Sequence, residues 1–209
     1  MNILNDENEE SEKQNEKDLI LTKFLQTRQL MLSGEINMEL AEKLIKNLLV
    51  LEAMSPTEPI YLYINSPGGD VDAGFAIFDI IRFVQPEIIA IGTGLIASAA
   101  TLVLLASKPE NRYALPNSRY LIHQPLSQMQ GVATDIEIHA QEIEKTKEKL
   151  NKLIAEETKS DIKKVVRDTD RDYWMSAEEA VDYGLVSKIM SGRNDFGKKV
   201  SKPRTGSKR

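Results

Sequence analysis

The run Ile88-Ile89-Ala90-Ile91-Gly92-Thr93-Gly94-Leu95-Ile96-Ala97-Ser98-Ala99-Ala100-Thr101-Leu102-Val103-Leu104-Leu105-Ala106-Ser107 carries no charge. Twenty such residues are enough for a helix to cross a bilayer. Two features cut the run instead. Pro86 precedes it, and Gly92-Thr93-Gly94 interrupts it. It therefore divides into a buried strand over Glu87–Ile91, a glycine turn, and a small-residue helix over Ser98–Ala106. Strands covered by helices on both faces read as continuous apolar segments. The run thus points to an α/β protein rather than a membrane span.

The flanking segments agree. Leu40, Ala41, Leu44, Ile45, Leu48 and Leu49 put an apolar face on a helix over Met38–Met54. Ile60-Tyr61-Leu62-Tyr63-Ile64 reads as a strand, and Asn65-Ser66-Pro67-Gly68-Gly69-Asp70 as a turn before a helix over Ala73–Phe83. Tyr120–His123 and Leu185–Met190 are further strands. Thr134-Asp135-Ile136-Glu137 has capping-box form and opens a long charged helix to about Thr158. Asp161–Arg167 is a short helix. Ser176-Ala177-Glu178-Glu179 is a second capping box, with Gly184 as the stop of its helix. Alternating strands and helices predict right-handed crossovers in one α/β domain.

Composition bounds the chemistry. At 209 residues the chain fits one domain with a substantial core. A net charge of −5 gives no footprint for non-specific nucleic-acid binding. The absence of cysteine excludes disulfides, thiolate catalysis and thiolate zinc sites, and fits a reducing cytoplasm. Residues 1–18 are polar and acid-rich, without the pattern of a secretory signal, and read as a mobile segment. Residues 193–209 read as a mobile basic tail. The ordered domain is expected over 19–192.

A hydroxyl is a poor nucleophile near neutral pH unless a base takes its proton. Ser98 stands between the strand and the small-residue helix, whose unpaired N–H groups favour a developing oxyanion. Serine at such a place is otherwise a packing or capping residue. The bases on offer are His123, at the end of an apolar strand, and His139, within the charged helix. Asp168, Asp170 and Asp172 are the nearby carboxylates, and spacing does not separate them. Ser-His-Asp acyl-transfer chemistry is thus available. The turn at Ser66–Asp70 lets a glycine N–H approach a carbonyl oxygen. Gly192-Arg193-Asn194-Asp195-Phe196-Gly197-Lys198 has the spacing of a phosphate loop. Lys199 replaces the Ser or Thr needed for Mg²⁺, so it is read as a chance match.

Several motifs in one order carry a resemblance. Tyr61–Gly69, Arg112–Ser118, Ile122-His123-Gln124-Pro125 and Arg167–Asp172 resemble the proteolytic subunit of the Clp protease. The likeness spans about Leu19 to Met190. It implies a crotonase-like ββα spiral fold with a protruding handle helix over about 132–158. It also implies a serine endopeptidase with Ser98 as nucleophile, His123 as base and Asp172 as the acid that orients it. The N–H groups of Gly69 and Ala99 would form the oxyanion hole, and Gln124, Pro125 and Leu126 the strand that pairs with substrate. Members of this family stack two heptameric rings and receive unfolded chains from an AAA+ ATPase. Asp170 and Arg171 would make the ring contact. The resemblance implies no metal and no cofactor in the chain itself, with ATP used by the partner.

Three departures stand out. Ser98-Ala99-Ala100 replaces the usual Ser-Met-Gly, and Leu126-Ser127-Gln128 replaces Leu-Gly-Gly. The region before Lys23 does not match the axial-loop sequence. They suit a divergent paralogue, for which a weak or silent ring subunit beside an active one is the alternative. A crotonase-type acyl-CoA hydratase or isomerase is a second alternative. It would need a catalytic carboxylate in place of the triad.

Overall fold

The computed structural model describes residues 20, 22–126 and 129–196. The expected mobile segment 1–18, Ser127, Gln128 and residues 197–209 lie outside them. In chain order the elements are β1 (Gln29–Ser33), α1 (Met38–Met54), β2 (Ile60–Ser66), α2 (Val71–Phe83), β3 (Ile88–Ala97) and α3 (Ala99–Ala106). There follow β4 (Arg112–Ala114), β5 (Arg119–Ile122), α4 (Ala133–Thr158), α5 (Ile162–Asp168), β6 (Tyr173–Met175), α6 (Ala177–Tyr183) and β7 (Lys188–Ile189).

Helices α1, α2, α5 and α6 begin where a side chain takes an unpaired N–H group. Asn37 accepts from Leu40 N at 2.9 Å, and Asp70 from Ala73 N at 2.8 Å. Ser176 and Glu179 form the expected capping box, and Gly184 ends α6 at φ 87°. The long helix departs from expectation. It starts one residue earlier than Thr134, its N-cap is Val132, and no side chain caps it. At the other end of α1, the Arg28 guanidinium takes the carbonyls of Leu51, Ser55, Glu58 and Pro59.

Strands β1-β2-β3-β4-β7 lie in that order, all parallel. Helix α1 buries Ala41, Leu44, Leu48 and Leu51, and α3 is buried along its whole length. Strand β3 is shared between two neighbours on its far side from β2. Its first half, Ala90–Gly92, pairs with β4; its second, Leu95–Ala97, pairs with β5. Strand β5 then pairs antiparallel with β6.

The glycine turn expected inside β3 is instead a bend within one strand. Ile64 pairs with Gly92 but Ser66 with Ile96, so β3 carries extra residues across the bend. Gly94 takes φ +65° there, and Leu95 N donates to the Asn65 side chain at 3.0 Å. Gly92 serves a different purpose: a Cβ on it would stand 2.4 Å from the Tyr120 hydroxyl.

Strands β1, β4 and β6 were not expected. Strand β4 is short and begins with a charge, Arg112, that is fully buried. Its guanidinium bonds the carbonyls of Leu105 at 2.8 Å, Ser107 at 2.7 Å and Glu157 at 3.1 Å, and the Glu157 carboxylate. Burial pulls this guanidinium below its ordinary range, and the Glu157 carboxylate opposes that shift. Arg82 reaches the same carboxylate at 2.5 Å. The C-terminal ends of α3 and α4 are thereby tied to β4. Past the expected boundary at 193, Arg193–Asp195 forms a 3-10 turn. Phe196 then packs edge-on against Tyr61 and Tyr113.

Candidate active site

Ser98 sits where the shared strand gives way to α3. Its backbone has φ 55° and ψ −124°, a sparsely populated region for a residue with a side chain. Such a conformation persists only where its surroundings over-determine it. Here Ser98 N donates to Leu121 O at 2.9 Å, and Thr101 N donates to Ser98 O at 2.9 Å. The Thr101 hydroxyl reaches Leu121 O as well, at 3.3 Å. The capping explanation of this serine does not apply, because its side chain makes no capping hydrogen bond.

His123 follows the last residue of β5. The antiparallel ladder pairs Tyr120 with Met175, Leu121 with Trp174 and Ile122 with Tyr173. The next position of that register sets His123 opposite Asp172. Accordingly His123 Nδ1 lies 3.4 Å from Asp172 Oδ1. The rival carboxylates are otherwise placed. Asp168 accepts from Lys164 at 2.6 Å and from the Tyr183 hydroxyl at 3.0 Å. Asp170 is exposed, and its carbonyl accepts from the Gln124 side chain at 2.7 Å. Three aspartates that spacing left equal are separated by the strand register. His139 lies on α4 and does not line the pocket that holds Ser98 and His123.

That pocket is walled by Val71, Leu102, Pro125, Leu150 and Ile154, with Ala99 at its edge. Leu150 and Ile154 come from the long helix, a contribution that sequence did not reveal. Both are buried on α4, four residues apart, and that spacing is the only trace in the sequence. Ala99 points its methyl at α2, where a Cβ on Gly74 would stand 3.2 Å from it.

Gly69 forms an isolated parallel bridge with Ile36. Ile36 N donates to Gly68 O at 2.7 Å, and Asp70 N donates to Ile36 O at 2.8 Å. The bridge thus engages the neighbours of Gly69 and turns the Gly69 N–H to the opposite edge. Gly68 packs directly on Ser98. Leu126 is 81% exposed beyond Pro125. Arg171 is exposed and shares an open depression with His123, Gln124, Leu126, Asp170 and Asp172.

Among the described residues no group of acidic or histidine side chains is arranged to hold a metal ion. No described helix is long and apolar enough to cross a membrane. In the loop with phosphate-loop spacing, the Asp195 carboxylate takes the N–H groups of Ser191 and Gly192 at 3.0 and 3.1 Å. A phosphate would need those amides; Gly197 and Lys198 lie outside the described residues.

Ser98 at the end of the shared strand and His123 beside it line one pocket, with Asp172 against the imidazole, an arrangement in keeping with a serine hydrolase. The family model described as Clp protease matches residues 11–193. Proteolytic subunit 2 of the ATP-dependent Clp protease of Treponema denticola is 58% identical over 95% of this chain and 100% of its own length. The corresponding subunit 2 of Borreliella burgdorferi is 46% identical over 88% of this chain and 93% of its own. Among solved structures, a ClpP1 mutant from Listeria monocytogenes matches with a TM-score of 0.78. It is 46% identical and covers 84% of this chain and 98% of its own. The chain belongs to the Clp protease family and has its fold.

Proposed function

We propose that this chain is a serine endopeptidase subunit that cuts unfolded polypeptides through an acyl-enzyme. The observation that carries the reading is the 3.4 Å approach of Asp172 to His123 Nδ1, beside a pocket that Ser98 and His123 share. With Nδ1 turned to the carboxylate, Nε2 is the nitrogen left to serve Ser98. The Ser98 hydroxyl attacks the scissile carbonyl while His123 takes its proton. The N–H groups of Gly69 and Ala99 receive the oxyanion. His123 returns the proton to the departing amine, and water then hydrolyses the ester by the same route. Gln124, Pro125 and Leu126 lie alongside the substrate backbone.

The chain works in the cytoplasm as part of two stacked heptameric rings, in contact through Asp170 and Arg171. A partner AAA+ ATPase unfolds and delivers substrates. The printed names of the Treponema and Borreliella relatives, ATP-dependent Clp protease proteolytic subunits, support this reading.

The test is a serine-directed fluorophosphonate with a fluorogenic peptide. The purified protein is expected to carry the label on Ser98 and to cleave the peptide. It should degrade a tagged folded protein only with an unfoldase ring and ATP. A homomer that takes no label and cuts no peptide would point to a silent subunit that needs an active paralogue.

A further inference from the structure

The long helix holds a polar residue in its buried stretch. Asn151 is 5% exposed, between Leu150 and the buried Ile154 and Ala155. A buried amide is costly unless it is hydrogen-bonded. Its partner is Thr169, itself 1% exposed, with 2.7 Å between the Thr169 hydroxyl and the Asn151 side chain. The same hydroxyl lies 2.9 Å from Val165 O. A hydroxyl has one proton to give. That proton is shared between two acceptors, Asn151 Oδ1 and Val165 O.

Thr169 opens the turn that ends at Asp172. Its carbonyl accepts from Gln124 N at 2.6 Å, and the next carbonyl, of Asp170, accepts from Gln124 Nε2 at 2.7 Å. Gln124 is the neighbour of His123. The turn is therefore pinned twice, from behind by Asn151 on α4 and from the front beside His123. Asp172 needs such support, because its side chain is 62% exposed and burial does not fix it.

We infer that Asn151 and Thr169 are positioning residues that hold the turn carrying Asp172 against His123. The inference rests on the triad reading proposed above. It makes α4 contribute both a wall of the pocket and the anchor of the carboxylate. The simpler alternative is that the Asn151–Thr169 link only closes the end of α5. That role would lower stability without acting through Asp172.

Peptide hydrolysis and native mass on the full-length assembled protein separate these. Thr169→Val keeps the shape and removes the hydroxyl; Thr169→Ser restores it. With assembly unchanged, Thr169→Val is expected to lower kcat about tenfold or more, with KM within about twofold. Thr169→Ser should stay within about threefold of the parent. In an Asp172→Asn background, Thr169→Val should have no further effect, since both act through one contact. Should Thr169→Val not assemble, Asn151→Ala carries the same comparison, because it leaves Thr169 its bond to Val165. Parental kcat in Thr169→Val, or an equal loss in both backgrounds, would overturn the inference while leaving the triad standing. An Asp172→Asn variant of parental activity would instead remove the triad reading, and this one with it.

Discussion

A methyl group on Gly68 would stand 2.6 Å from the Cβ of Ser98 and 2.6 Å from Ala97 O. Gly68 also holds φ +90°, where a side chain is strained in any case. This glycine and the nucleophile candidate are therefore fitted to each other. Gly68→Ala should displace Ser98 and Ala99 and cost about 1–3 kcal/mol of stability. The rate of fluorophosphonate labelling should fall at least about tenfold, since a small misplacement suffices. Unchanged labelling would mean that the Ser98 turn has slack that these contacts do not suggest.

The strand register sets Asp172 opposite His123, and variants can check whether it serves as the acid. Ser98→Ala should abolish peptide hydrolysis with assembly intact. Asp172→Asn should lower kcat about a hundred- to ten-thousand-fold, because the imidazole loses its orienting acceptor. His139→Ala should leave activity near that of the parent. Assays that reversed the roles of His139 and His123 would refute the assignment.

Arg171 is exposed beside Asp172. As a lone surface charge its salt bridge would be worth at most about 1 kcal/mol. As a ring contact it should matter more. Arg171→Ala is expected to reduce both the double-ring population and activity, more than Lys147→Ala, a charge change on α4, does. Sedimentation velocity and hydrolysis on the same samples measure both, and fully active single rings would break the link between assembly and activity.

Glu157 faces the fully buried Arg112 and is itself 16% exposed. Removing one partner of a buried pair strands the other charge. Glu157→Leu should cost about 3–5 kcal/mol in denaturant unfolding. A loss below about 1 kcal/mol, the value of a surface pair, would show that water reaches Arg112.

Burial pushes the Tyr120 hydroxyl from its ordinary 10.0 up to about 12. Tyr183 moves the same way, through burial and its bond to Asp168. Between pH 10 and 12 the unfolded chain gives up a Tyr120 proton that the folded chain keeps. The Tyr120 contribution is therefore full below about pH 10 and is lost as pH rises toward 12. The urea midpoint should fall between about pH 10 and 12, in line with that linkage, and fall less steeply in Tyr120→Phe. Equal slopes would assign the alkaline loss to other groups.

Much of this was legible because it is periodic or local. The face of α1, the capping box at Ser176 and the stop at Gly184 follow from side chains a few residues apart. What escaped depends on distant partners. Strand β6 is three residues long and acquires its meaning only by pairing with β5, which is also what singles out Asp172. Arg112 argues against a buried strand until Glu157, 45 residues on, answers its charge. Gly92 reads as a break, although its missing side chain makes room for the Tyr120 hydroxyl. The motifs at Ser98 and His123 were visible singly; the apolar wall from α4 was not, because nothing near Leu150 in the chain announces which surface it faces.

The divided pairing of β3 decides where this fold can vary. A site built on a loop can be lengthened, shortened or exchanged while the scaffold stands. Ser98 instead follows directly on β3, a strand that pairs with β2, β4 and β5, so an insertion within that strand would disturb more than one register at once. Novelty in such a molecule is confined to its margins, where one chain segment meets solvent and no second ladder depends on it. Diversification would then proceed by changing what reaches the reaction centre rather than by rebuilding the centre.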